Sequence, residues 1–115
     1  MKSDQKYTTT EKASIHDTVM PLLDSMYLEF KELSKKKPDA AVSKSKISIA
    51  NRLLLKVREV LADEASVDFL DMLDEDDVPQ SSDVTLIFSQ YVAAMNSFKK
   101  KFHGWNGNEH DWFTE

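Results

Sequence analysis

Both glycines of this chain, Gly104 and Gly107, lie within its last twelve residues. The other strong breakers are three prolines, Pro21, Pro38 and Pro79. Sandwiches and barrels need many tight turns, and tight turns need residues that adopt positive φ or preset their φ. A chain this poor in both is restricted to a few long elements joined by a few connections. At 115 residues it is one domain built around a single core.

The apolar residues recur at helical spacing. Ile15, Val19, Leu22, Leu23, Met26, Phe30 and Leu33 form one stripe, interrupted at Pro21. The spacing predicts a firm helix from Pro21 to Lys36, with a kink or restart at the proline, ending in Lys35, Lys36 and Lys37. Ser43 or Ser45 caps a second helix over 44–62, whose apolar stripe runs from Ile47 to Leu61 and whose other face carries Lys44, Lys46, Arg52, Lys56 and Arg58. Ser66 reads as the cap of a short helix over 67–74. On that helix Phe69, Leu70 and Leu73 share the buried face, opposite Asp68, Asp71 and Glu75. Ser81 or Ser82 caps a last helix over 83–103, with Val84, Ile87, Tyr91, Met95, Phe98 and Phe102 inward and Gly104 as its C-cap. The fold class is therefore all-α: an antiparallel bundle of three long helices plus one short one. Residues 1–10 are expected to be flexible, 11–115 to form the single domain, and the tail from 104 to be irregular but aromatic enough to dock in part.

Charge is partitioned along the chain. Lys31 to Arg58 holds nine basic residues against two acidic ones, whereas Glu59 to Phe98 holds ten carboxylates and no Lys, Arg or His. The carboxylates invite a calcium reading, but a loop started at Asp74 puts Pro79 at the sixth position and Thr85 at the twelfth, where an EF-hand needs Gly and Glu. His16, His103 and His110 have no metal-ligand spacing. With no cysteine, no G-x-S-x-G elbow and no glycine-rich phosphate loop, neither nucleophilic catalysis nor a bound cofactor is expected. The absence of cysteine suits the reducing cytoplasm. No apolar run approaches 18 residues and the N-terminus is polar, so neither a membrane partner nor a signal peptide is expected. The net charge of −5 disfavours nucleic acid as a partner.

What the pattern favours is a non-enzymatic module that binds another protein with a basic surface. The most concrete form is an immunity- or antitoxin-type inhibitor, docking electrostatically through Asp68, Asp71, Glu75, Asp76 and Asp77 and anchored by Trp105 and Trp112. Two alternatives differ in class. One is a homo-oligomeric structural or regulatory module pairing basic helix with acidic segment; the other is a nucleic-acid-associated regulator using Lys44 to Arg58. Everything functional here rests on the acidic segment lying outside and unneutralised.

Overall fold

The structure is a computed structural model and describes residues 5–115. It is mostly helical, with α1 over Thr10–Lys36, α2 over Lys44–Val60 and α3 over Ser81–Phe102. A 3-10 turn covers Ala65–Phe69, and two short strands, β1 (His103–Trp105) and β2 (His110–Trp112), close the chain. Helix α1 packs against both α2 and α3. Phe30 meets Phe88 with ring centroids 5.3 Å apart, while His16 stacks on Phe98 at 5.8 Å, so the end of α1 lies beside the start of α3. Leu23, Ile47, Leu54, Val57, Phe88, Tyr91 and Met95 are inaccessible to solvent. Each such side chain contributes about 1.5–3 kcal/mol through apolar burial.

Helix α1 runs unbroken through Pro21 and starts eleven residues earlier than the spacing predicts, capped by Thr9, whose hydroxyl accepts from the Lys12 backbone N–H at 3.0 Å. Pro21 is exposed, and removing its i→i−4 bond leaves only the Asp17 carbonyl to be satisfied by water. Burial of Ala13, His16 and Val19 on the N-terminal side of the proline holds the helix together across it.

Helix α2 is capped by Ser43 as read, accepting from the Lys46 N–H at 3.3 Å, and ends at Val60. The short helix expected over 67–74 is not formed. The chain makes a 3-10 turn preceded by Glu64 rather than capped by Ser66, then runs without regular structure from Leu70 to Pro79. Consecutive carboxylates repel one another and oppose the helix dipole at a C-terminus, which removes the local reason for a helix there. Leu70 and Leu73 are buried, but Phe69 points out at 79% exposure.

Helix α3 begins at Ser81, with Gln80 as N-cap and the Asp83 carboxylate accepting from the Gln80 backbone N–H at 3.4 Å. Ser81 is not the cap. Its buried hydroxyl donates to the Lys37 and Pro38 carbonyls at 2.6 and 3.1 Å, and Val42 N–H donates to the Pro79 carbonyl at 3.0 Å. These bonds fasten the α1–α2 connection to the start of α3.

The tail is a β-hairpin rather than irregular, a small sheet added to the helices. β1 and β2 pair antiparallel, His103 opposite Trp112 and Trp105 opposite His110. Gly107 sits in the turn at φ 96°, where glycine alone is unstrained, and the Asn106 side-chain oxygen accepts from the Asn108 and Glu109 N–H groups at 2.9 Å. Gly104 therefore lies in a strand and does not cap α3. The flexible stretch expected over 1–10 falls partly outside the described residues. Nearest α1 the chain is held: Thr8 is buried, donates to Phe113 O at 3.0 Å and accepts from Glu115 N at 3.1 Å.

His16 fastens this hairpin to the helices. It is buried, its Nε2–H donates to the Met95 carbonyl at 2.9 Å, and Trp112 meets its ring edge at 5.0 Å. Trp112 also packs on Phe98 and His103 and donates from Nε1 to the Asp17 carboxylate at 3.1 Å. Burial lowers the His16 pKa below its usual 6.5; the Met95 bond and Asp17 oppose that, while Lys99 and His103 reinforce it. The unfolded chain therefore takes up the proton first, so this contribution is full above about pH 6.5 and is lost as pH falls below it. Wild type should lose urea resistance between pH 7.5 and 5.5, and His16→Gln should lose much less. Equal losses in both proteins would contradict the assignment.

Candidate functional site

The connection between α2 and α3 occupies the place a fourth helix was expected to fill. Three side chains pin its backbone from the two helices flanking it. Arg58 donates from Nη1 to the Leu70 carbonyl at 2.7 Å. The Tyr91 hydroxyl donates to the Asp71 carbonyl at 3.0 Å and accepts from Arg58 at 3.2 Å. Asn51 spans both backbone groups of Leu73, donating to its carbonyl at 2.7 Å and accepting from its N–H at 3.0 Å. Burial raises the Tyr91 pKa, with Arg58 opposing, so the phenol stays protonated and keeps its donor. A segment with no ladder of its own has thus found partners for its buried backbone groups.

With Leu70 and Leu73 drawn inward, the carboxylates before, between and after them face solvent. Asp68, Asp71, Asp74, Glu75, Asp76 and Asp77 are all exposed. The helical face proposed for Asp68, Asp71 and Glu75 does not exist; Asp68 lies in the 3-10 turn and Asp71 and Glu75 in the irregular run that follows it. The protein's own cations engage mainly the flanks. Lys12 meets Asp63 at 2.6 Å and holds its carboxyl below the usual range, Lys101 meets Glu64 at 3.0 Å, and Lys56 meets Glu59 at 3.0 Å. Within the cluster, Lys44 reaches Asp76 at 3.6 Å, a pair so exposed that water screens most of it. Among the described residues, Asp68, Asp71, Glu75 and Asp77 make no ion pair.

Beside this acidic run lies uncharged ground. From Val84 to Phe98, α3 carries fifteen residues without a charge. Its outer side presents Leu86, Gln90, Ala93 and Ser97. Ser66 and Phe69 border a shallow depression of about 340 Å³ with Gln90, Ala93 and Ser97. Phe69, among the described residues the most exposed large apolar side chain, thus lies between Asp68 and Asp71 in sequence and borders a neutral helix face. Sequence reasoning missed it, because helical periodicity placed it with Leu70 and Leu73 in the core.

The two tryptophans belong to the hairpin. Trp112 is half-buried with its ring and N–H engaged internally. Trp105 is 60% exposed and meets His110 edge-on at 5.4 Å. Among the described residues, no group of three or more His, Asp or Glu is arranged to hold a metal ion. In the acidic run the Asp74 carboxylate accepts from the Asp76 N–H at 2.9 Å, a local turn bond. No described helix is long and apolar enough to cross a membrane.

Comparison with protein-family models, with curated proteins and with solved structures finds no match to this chain.

Proposed function

We propose that this protein is a non-enzymatic module that binds another protein, using the acidic connection between α2 and α3 as its docking surface. The helices, read as an antiparallel bundle, serve as the rigid support. The observation that carries the reading is the pinned backbone of Leu70, Asp71 and Leu73 beneath carboxylates that have almost no ion pairs of their own. Preorganised, unneutralised charge speeds encounter with a basic partner and selects against acidic ones. Charge alone gives little affinity, which needs a desolvated anchor. Phe69, already out of the core, takes that role beside the neutral face of α3, and Trp105 is the second exposed aromatic. Trp112, which the sequence reading paired with it, already has internal partners. Catalysis is not assigned to these carboxylates, because they lie on an open surface rather than in a cleft that would push two pKa values apart. In its most concrete form the module is an immunity- or antitoxin-type inhibitor that covers the basic surface of a nuclease or similar enzyme in the cytoplasm.

Capture from cell extract at low salt tests this when wild type is run against two variants, Asp68→Asn/Asp71→Asn/Glu75→Gln and Phe69→Ala. All of these side chains are exposed, so the fold is retained. The expected result is a basic protein held by wild type and lost, by about tenfold or more, with either variant. A ligand retained equally by all three contradicts the proposal.

A further inference from the structure

A second surface has the opposite sign. Helices α1 and α2 leave a groove of about 360 Å³ between them, floored by Val19, Met26 and Leu53 and walled by Leu22 and Ile49. A neighbouring hollow of about 320 Å³ shares Met26 and Ile49 and continues to Phe30 and Leu33. Leu22 is 53% and Ile49 48% exposed, so the apolar walls face water. From Val19 to Leu33 the trough runs along roughly four turns of α1, about 21 Å at 1.5 Å per residue. The charges around it are Lys46, Arg52 and Lys56 from α2 and Glu29 from α1. Lys56 pairs with Glu59 on its own helix; among the described residues Lys46 and Arg52 make no ion pair. With Lys56 shared with Glu59, the rim keeps Lys46 and Arg52 against the one carboxylate of Glu29, a locally positive site in a chain of net charge −5.

We infer that this groove docks an acidic amphipathic helix of a partner protein. Two helices with an apolar trough between them accept a third whose apolar residues recur at i, i+3, i+4 and i+7. Glutamates or aspartates flanking that stripe meet Lys46, Arg52 and Lys56. Charge complementarity selects this occupant over two others. A second copy placed groove to groove brings two positive rims together, and its own acidic run is a 3-10 turn and an irregular segment, not a helix of four turns. A nucleic acid would meet the cations but leave Leu22 and Ile49 against its charged backbone. The groove does not depend on the acidic surface, so the two faces give the module two partners of opposite charge.

The test uses a fluorescently labelled helical peptide of about four turns with one leucine stripe flanked by glutamates, and a control peptide with lysines in their place. By fluorescence anisotropy, wild type should bind the glutamate peptide about tenfold or more tighter than the lysine peptide. Ile49→Asp and Leu22→Asp, both at exposed positions, should each weaken it by about tenfold or more, and Arg52→Glu should remove the preference. The carboxamide variant at Asp68, Asp71 and Glu75 should bind the peptide like wild type, which separates this result from the fate of the acidic surface. Equal affinity for both peptides, no detectable binding, or indifference to Ile49→Asp overturns the inference. So does self-association in light scattering that Ile49→Asp abolishes, or displacement of the peptide by a random single-stranded RNA.

Discussion

Replacing Asn51 with alanine is expected to destabilise the fold by about 2–4 kcal/mol, although the residue lies on a helix and contributes little apolar area. The loss follows from what it leaves behind. Leu73 is buried, and Asn51 supplies the partners of both its N–H and its C=O. Each buried polar group deprived of its partner costs about 1–3 kcal/mol. Asn51→Asp separates this cause from packing. Aspartate has nearly the same shape and still accepts from the Leu73 N–H, but it sets a carboxylate against the Leu73 carbonyl. It should therefore destabilise nearly as much as alanine, as read from urea midpoints at pH 7. A neutral Asn51→Asp variant would show that the asparagine fills space only. If the acidic surface also depends on this pin, slow amide exchange at Leu73 should be lost in both variants.

Tyr91 is the second position where a large effect is expected. Truncation to alanine removes a wholly buried ring and should cost about 3–5 kcal/mol. The more informative substitution is Tyr91→Phe, which keeps the ring and removes only the hydroxyl. That hydroxyl links Arg58 to the Asp71 carbonyl, and its loss leaves the carbonyl short of a donor and the guanidinium with one fewer acceptor. About 1–3 kcal/mol is expected, the cost of leaving a buried polar group without its partner. A Tyr91→Phe variant as stable as wild type would show that the hydroxyl takes no part in holding the segment, leaving it to Asn51, Arg58 and the burial of Leu70 and Leu73.

Three helices were legible because their apolar stripes are long and periodic. Ile47, Ala50, Leu53, Leu54, Val57 and Val60 all read as inward on α2 and are all buried there. Local rules misled where tertiary contacts outweigh them. Pro21 reads as a break, yet buried residues on both sides carry α1 through it. Ser81 reads as a cap, yet its hydroxyl serves the Lys37 and Pro38 carbonyls. The hairpin did have a signal: Asn106-Gly107 between two aromatic arms is a strong short-range hairpin cue, overlooked because each arm is only three residues long. The acidic run could be located from the sequence, and its exposure follows from its composition. Its support could not. Asn51, Arg58 and Tyr91 are scattered over forty-one positions of sequence, and nothing local marks them as partners of the backbone at residues 70–73. Phe69 was hidden for the related reason that a helix there would have turned it inward.

The proposed function requires the carboxylates of the α2–α3 connection to meet a basic partner. The direct measurement is the dissociation constant of the captured protein at rising ionic strength, for wild type and for the variant with amides at Asp68, Asp71 and Glu75. Wild type should weaken steeply as salt screens the encounter, and the amide variant should start weaker with a shallower dependence. Superimposable salt curves for the two proteins would mean that these side chains take no part in binding.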